Sequence, residues 1–226
     1  MNKKRIDLLL VERGLAESRN RAQRLVMAGE VRVNGEMVHK SSTQVAEDAQ
    51  IKVKQQPKYV SRGGLKLEAA VEAFKVVVEG KVCADVGAST GGFTDCLLQN
   101  KAEKVYAIDV GYGVLHWKLR QDPRVVVMER INARYLDELP ETIDLAVIDA
   151  SFISLVLILP AVQGWFEAEK GRIIALIKPQ FEAGRKAAAV HAGVIKDIAV
   201  HERVLKETLM NANALGFHPM AFFNCA

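Results

Sequence analysis

The sequence predicts a mixed α/β chain in which a small α+β domain precedes a larger α/β domain with a helix-wound parallel sheet. Three observations carry this. At 226 residues the chain exceeds one average domain and suits one small and one medium core. The first sixty residues show two short helical periods and then strand-like alternation around Asn34-Gly35. From Lys81 onward, short Val/Ile-rich runs alternate with helical segments, the signature of strands joined by crossover helices. An apolar fraction of 50% and a charged fraction of 26% place the chain with folded globular proteins, away from disordered or collagen-like ones.

In the first domain, Ile6, Leu8, Leu9, Leu10 and Val11 predict a helix between Arg5 and Arg13, ended by Gly14. Ser18 supplies a hydroxyl cap for a second helix, RNRAQRLVMA, which stops at Gly29. The two are expected to pack through Leu9, Leu15, Ala22, Leu25 and Val26. In VRVNGEMV, Asn34-Gly35 provides the positive-φ pair of a two-residue hairpin.

Charge is unevenly spread along the chain. Residues 1–60 hold 12 Lys/Arg against 7 Asp/Glu, whereas residues 61–226 hold 19 against 20. Clustered cations favour polyanions, because each neutralised phosphate releases counterions. Arg19, Arg21 and Arg24 crowd the first turns of the second helix beside Gln23, where exposed backbone amides already attract anions. Three arginines alone can be a solvated face. With Arg5, Arg32 and the basic hairpin added, the pattern points to RNA. The stretch RIDLLLVERGLAESRNRAQRLVMAGEVRVNGEMV resembles the RNA-binding αL-type domain first described in the fourth ribosomal small-subunit protein and shared by pseudouridine synthases and tyrosyl-tRNA synthetases. The resemblance covers residues 3–55 and implies that Arg5, Ser18, Arg19, Arg21 and Gln23 contact RNA.

Residues Lys52 to Gly64, KVKQQPKYVSRGG, lack sustained periodicity, so the domains are expected at 1–55 and 65–226 with a linker at 56–64. Leu65, Leu67, Ala69, Ala70, Val71 and Phe74 suit a helix docked on the second domain. Strands are expected at 82–86, 104–109, 125–128, 143–148, 172–177 and 217–223, with helices near 92–100, 115–121, 154–168 and 197–215. In such sheets ligands sit outside the carboxyl ends of the strands.

The first of these strands runs into Asp85-Val86-Gly87-Ala88-Ser89-Thr90-Gly91-Gly92-Phe93. Glycines at 87, 91 and 92 permit a sharp turn and a close approach to a ligand. A second strand ends in Asp109, placed to bind ribose hydroxyls. A dinucleotide site would space its glycines G-x-G-x-x-G around a pyrophosphate. This loop is G-x-x-x-G-G and begins with an acid, which suits a cationic ligand better. The pattern resembles the S-adenosylmethionine loop of class I (Rossmann-like) methyltransferases. That resemblance implies a cofactor site at Asp85, Gly87, Ser89, Gly91, Gly92, Phe93 and Asp109, with Asn132 against the adenine.

Three more residues share this strand-end location: Lys66 on the helix before the first strand, Asp149 after IDLAVID, and Lys178 after RIIALIK. A strand-end Asp often caps a helix, and a Lys is usually solvated. Gathered beside a methyl donor, however, Lys178 would remove a proton from a hydroxyl, made less basic by Lys66 and partial desolvation, while Asp149 would hold the amine. The set resembles the Lys-Asp-Lys-Glu tetrad of FtsJ/RrmJ-type ribose 2′-O-methyltransferases. SRGGLKLEAA, DVGASTGGFTD, DASFISL and LIKPQFE extend the resemblance to the TlyA family, often labelled hemolysin A and associated with 2′-O-methylation of cytidines in ribosomal RNA. It implies ribosomal RNA or ribosomal subunits as partner. The family's fourth residue, a Glu on a last strand, has no counterpart before the sequence stops at FFNCA, so the C-terminal strand is apparently missing; Glu182 does not match that position. An RNA-binding assembly protein without turnover is the competing reading.

Cys83, Cys96 and Cys225 form no CxxC pair, so neither disulfides nor a metal site are expected. The four-residue apolar run before Glu12 is too short for a signal peptide, and Phe152 to Phe166 is too broken to span a membrane. A cytoplasmic protein is expected. A pore, suggested only by the family label, would need a spanning helix or alternating barrel strands that the sequence lacks. His191, in the loop after Lys178, reads as a surface residue.

Overall fold

The computed structural model describes residues 2–54, 57–167, 170–184 and 195–222. The chain divides into two compact units, Met1–Gln56 and Pro57–Ala226.

In the N-terminal unit, β1 (Lys3–Arg5) leads directly into α1 (Ile6–Glu12) and then α2 (Arg19–Met27). These are followed by β2 (Val31–Val33), β3 (Glu36–Met37), β4 (Gln44–Ala46) and β5 (Ile51–Val53). β2 and β3 form the expected hairpin: Asn34 and Gly35 have φ of 50° and 91°, the left-handed pair that a right-twisted two-residue turn demands. Asn34 Oδ1 also accepts from Gln50 N–H at 2.9 Å, which helps seat β5 beside β2. Strands β1 and β4 are too short and too polar to show a period-two signal, and β5 alternates, Ile51-Lys52-Val53, over only three residues.

Ile6, Leu9, Leu10, Ala22, Leu25, Val26 and Val31 make the unit's core. Leu15, expected inside it, is half exposed, and Ala16 is buried instead. Gly14 at φ 68° turns the chain after α1, so that Leu15 and Ala16 both donate backbone N–H to Leu10 O and the smaller side chain faces inward.

The C-terminal unit contains α3 (Gly63–Phe74), β6 (Val82–Val86), α4 (Gly92–Gln99), β7 (Lys104–Asp109), α5 (Trp117–Arg120) and β8 (Val125–Glu129). Next come β9 (Leu145–Ile148), α6 (Leu155–Gln163), β10 (Arg172–Ala175), α7 (Pro179–Glu182) and α8 (Ile198–Ala214). The five strands lie in the order β10-β9-β6-β7-β8, every neighbouring pair parallel. The chain winds outward from β6 through β8, then returns to the other side of β6, so the order reverses between β6 and β9. Crevices for ligands form at such reversals. Register pairs Val86 with Ile148, so the loops leaving β6 and β9 start level with each other.

Alternation along β6 sends Cys83 to one face of the sheet, with Leu67, Phe93, Leu97 and Leu119, and Ala84 and Val86 to the other, with Ile158, Leu159, Val162 and Trp165. Trp165 is fully buried and its indole N–H donates to Leu136 O at 2.9 Å, so its polar atom is met.

In the stretch expected as a linker, the Tyr59 side chain is buried, Val60 N–H donates to Asp95 Oδ2 at 2.9 Å, and Gln99 Nε2 donates to Lys58 O. α3 starts at Gly63, and Gly64 is the residue on which the Tyr59 ring lies, where a Cβ would strike it. Residues 217–222 form no strand, although Phe217 packs against the core; residue 223, Cys225 and His191 lie outside the described residues. No described helix is long and apolar enough to cross a membrane.

Candidate active site

The crevice between β6 and β9 is built around three carboxylates. Asp85, in β6, is 0% exposed. Its Oδ2 accepts from Thr94 N–H at 2.8 Å and Thr94 Oγ1–H at 2.6 Å, while Oδ1 has no hydrogen-bond partner among the described residues. Burial pushes this carboxyl up to about 7; the negative charges of Asp149 and Asp109 push the same way, against the two Thr94 hydrogen bonds. The structure therefore brings Asp85, Asp109 and Asp149 within electrostatic reach of one another.

Asp109, at the end of β7, accepts from Ser89 N–H through Oδ2 and from Gly111 N–H through Oδ1, both at 2.7 Å. It ties the glycine turn to the loop after β7. Ile131 N–H donates to Asp109 O at 3.1 Å and Arg130 N–H to Gly111 O at 3.0 Å, which zips the loop after β8 alongside. Asn132, at the end of that loop, is exposed, and its Oδ1 caps the short turn Ala133–Tyr135 by accepting from Arg134 N–H at 3.1 Å.

The glycines of the turn serve contacts that sequence reading did not foresee. Gly87, at φ 83°, lets the loops after β6 and β9 touch: a Cβ there would lie 2.9 Å from Asp149 O and 3.1 Å from Ala150 Cα. Gly91 and Gly92 are buried by protein. A Cβ on Gly91 would enter Leu119 and Leu115, and one on Gly92 would lie 2.9 Å from Gly64 N, in the first turn of α3. Close approach at 91 and 92 is thus to α5 and α3. The Phe93 ring is in the core, so only backbone of Gly91, Gly92 and Phe93 is left to face the crevice. Ser89 is exposed, at φ 50°.

Lys178 and Asp149 come together as expected. Lys178 Nζ lies 2.5 Å from Asp149 Oδ1, and donates to Asp149 O at 3.2 Å and to Ser151 Oγ at 2.9 Å. With its side chain 15% exposed, the ammonium has little room for other orientations. Ser151, two residues after Asp149 in DASF, is a partner that sequence reading missed. So is Phe181, whose ring centroid is 5.9 Å from Lys178 Nζ and which packs, tilted, against the exposed Phe152. Lys66 is exposed on α3 and makes no hydrogen bond or ion pair with any described residue. Its helix nevertheless reaches the crevice, since the first turn of α3 packs on Gly92.

Glu182 acts as a helix cap: its carboxylate accepts from Ser154 Oγ–H at 2.5 Å and Leu155 N–H at 2.8 Å, at the start of α6. Glu182→Ala is expected to cost about 1 kcal/mol of stability, as for loss of a helix cap, which urea melts check; an unchanged melt would contradict the capping role.

In the N-terminal unit Ser18 Oγ caps α2 by accepting from Arg21 N–H at 3.2 Å. Arg5, Arg19 and Gln23 all donate to one residue absent from the expected set, Asp7.

Comparison with known proteins identifies both parts of the chain. The family model for FtsJ-like methyltransferases matches residues 59–226, and that for the S4 domain matches residues 4–51. A candidate rRNA methyltransferase of Bacillus subtilis, YqxC, is 50% identical over 219 residues, 95% of this chain and 77% of that protein. The 16S/23S rRNA (cytidine-2′-O)-methyltransferase TlyA of Mycobacterium tuberculosis is 46% identical over 220 residues, 95% of this chain and 81% of that one. A solved structure described as a candidate hemolysin from Streptococcus thermophilus is similar with a TM-score of 0.68 and 45% identity, over 96% of this chain and 80% of that chain. Matches of this length and identity settle the kinship: the chain belongs to the FtsJ-like methyltransferases, with an S4 domain ahead of the catalytic one.

Proposed function

We propose that this protein is a cytoplasmic S-adenosylmethionine-dependent methyltransferase that methylates the 2′-hydroxyl of ribose, at cytidine, in the RNA of ribosomal subunits. The observation that carries the reading is the Lys178–Asp149 pair standing one loop away from a buried carboxylate with an unmet oxygen.

The crevice fits the donor. An orphaned, buried Asp85 Oδ1 with two further carboxylates nearby is an anionic environment, and a ligand with a sulfonium and an ammonium complements it. Gly87, Ser89 and the backbone at Gly91, Gly92 and Phe93 would hold the amino-acid end, Asp109 the ribose, and Asn132 the adenine side. When bound, S-adenosylmethionine supplies a methyl group activated by positive sulfur. The chain's own task is then the sugar hydroxyl. Lys178 Nζ accepts its proton, which requires the amine to be free of its own third proton and to release one of the three oxygens it contacts. Asp149 keeps the amine aimed during this exchange, and Lys66 adds positive charge at the rim where phosphates arrive. Held from three sides, the amine is aimed before the substrate arrives.

Arg5, Ser18, Arg19, Arg21 and Gln23 on the S4 domain would grip the RNA. The test is incubation with methyl-labelled S-adenosylmethionine and ribosomal subunits, followed by nucleoside analysis. Label is expected on ribose. Label on a base, or none in RNA while the cofactor binds, counts against the reading; the second outcome favours a non-catalytic assembly protein.

A further inference from the structure

The first turn of α1 buries an aspartate in the face of the S4 domain assigned to RNA. Asp7 is 0% exposed, a setting where an ionised carboxylate is costly unless its oxygens are met. They are met by three side chains from two other elements. Arg5, on β1, donates from Nε to Oδ1 and from Nη2 to Oδ2, both at 2.9 Å; from α2, Arg19 Nε and Gln23 Nε2 each donate to Oδ2 at 3.1 Å. These contacts, Arg5's first, hold the Asp7 carboxyl far below the usual carboxylate range, so it stays charged at any working pH.

The donors themselves are not buried. The side chains of Arg5 and Arg19 are 35% and 52% exposed. Of the five N–H groups on a guanidinium, Arg5 commits two to Asp7 and Arg19 one, and no described residue takes the remainder. Planar cations pinned from behind, with their free edges at the surface, are arranged to meet phosphate oxygens bidentately. We infer that Asp7 is a positioning residue for RNA, fixing the planes of Arg5 and Arg19 and the amide of Gln23 before the ligand arrives. Pinning lowers the side-chain entropy lost on binding. The inference rests on the reading of this domain as an RNA grip.

Positioning and bulk charge predict opposite signs. Asp7→Asn adds one positive charge to the face, so charge alone would tighten binding to any polyanion. If Asp7 positions the arginines, binding to structured RNA weakens instead. The experiment titrates the full-length protein with purified ribosomal RNA and, separately, with heparin, which reads charge without shape. Asp7→Asn is expected to weaken RNA binding about tenfold, with heparin binding unchanged or tighter. In the Arg5→Ala/Arg19→Ala background, Asp7→Asn is expected to add less than about twofold, because its effect passes through those side chains. RNA binding by Asp7→Asn as tight as wild type, or an undiminished loss in the double-alanine background, overturns the inference. Should thermal melts show Asp7→Asn unfolded, Arg19→Lys decides at an exposed position: it keeps the charge but lacks the Nε anchor. A loss close to that of Arg19→Ala supports positioning, and wild-type affinity overturns it. A wild-type protein that fails to bind the RNA at all sinks the RNA reading together with this inference.

Discussion

Lys178→Ala is expected to lower the single-turnover rate of methyl transfer by about 10³-fold, within the usual range for a positioned proton acceptor, while cofactor affinity changes by less than about threefold. The amine contacts Asp149 Oδ1, Asp149 O and Ser151 Oγ, none of which belongs to the glycine turn, so its loss leaves the cofactor crevice built. Lys178→Arg sharpens the test. Arginine keeps the positive charge and the Asp149 pair but does not give up a proton near neutrality, so it cannot accept one. If Lys178 only neutralised charge, Lys178→Arg would retain much of the rate; if it removes a proton, that variant falls with the alanine. Rapid-quench transfer assays, with cofactor affinity from calorimetry, read both quantities. Ser151→Ala removes one of three contacts and is expected to cost far less.

The second large effect concerns Asp85 and pH. Its folded-state carboxyl stands at about 7, raised first by burial and then by Asp149 and Asp109. A cationic ligand favours the ionised form, so affinity for S-adenosylmethionine is expected to rise about tenfold per pH unit below 7 and to level off above it. The groups that share this field are Asp149, its partner Lys178, and Asp109. Asp85→Asn should flatten the profile and weaken binding at pH 8 by about one to two orders of magnitude, the loss of a buried charge partner. Stability without cofactor carries the opposite sign. A carboxyl raised on folding binds its proton more tightly folded than unfolded, so its contribution is greatest below the unfolded carboxylate range and is lost as pH rises through about 7. Melting wild type and Asp85→Asn at pH 5 and pH 8 isolates this term, since the difference between the two proteins should shrink or reverse at the higher pH. A cofactor affinity with no slope between pH 6 and 8 would show that Asp85 does not face the donor's charge.

Whatever depends on a few adjacent residues was legible in the sequence. Asn34-Gly35 announced a hairpin because two consecutive positive φ angles select those residue types. The α3 face, the strands at 82–86 and 104–109, and the Asp85-to-Phe93 turn were readable because local period and turn chemistry act over single helical turns and strands. Asp149 and Lys178 could be named as strand-end residues, since each closes a Val/Ile run. Only tertiary packing decided the rest. Nothing local tells that Asp7 gathers Arg5, Arg19 and Gln23, that Glu182 closes the start of α6, or that Gly91 and Gly92 are needed by α5 and α3. It likewise took the fold to bury Tyr59 against Gly64 and to bring Ser151 to Lys178. The physical reason is range. Backbone propensity is settled by neighbours in the chain, whereas burial of a charge or contact at a glycine is settled by whichever distant segment comes to cover it, and that is known only once the sheet order has brought the segments together.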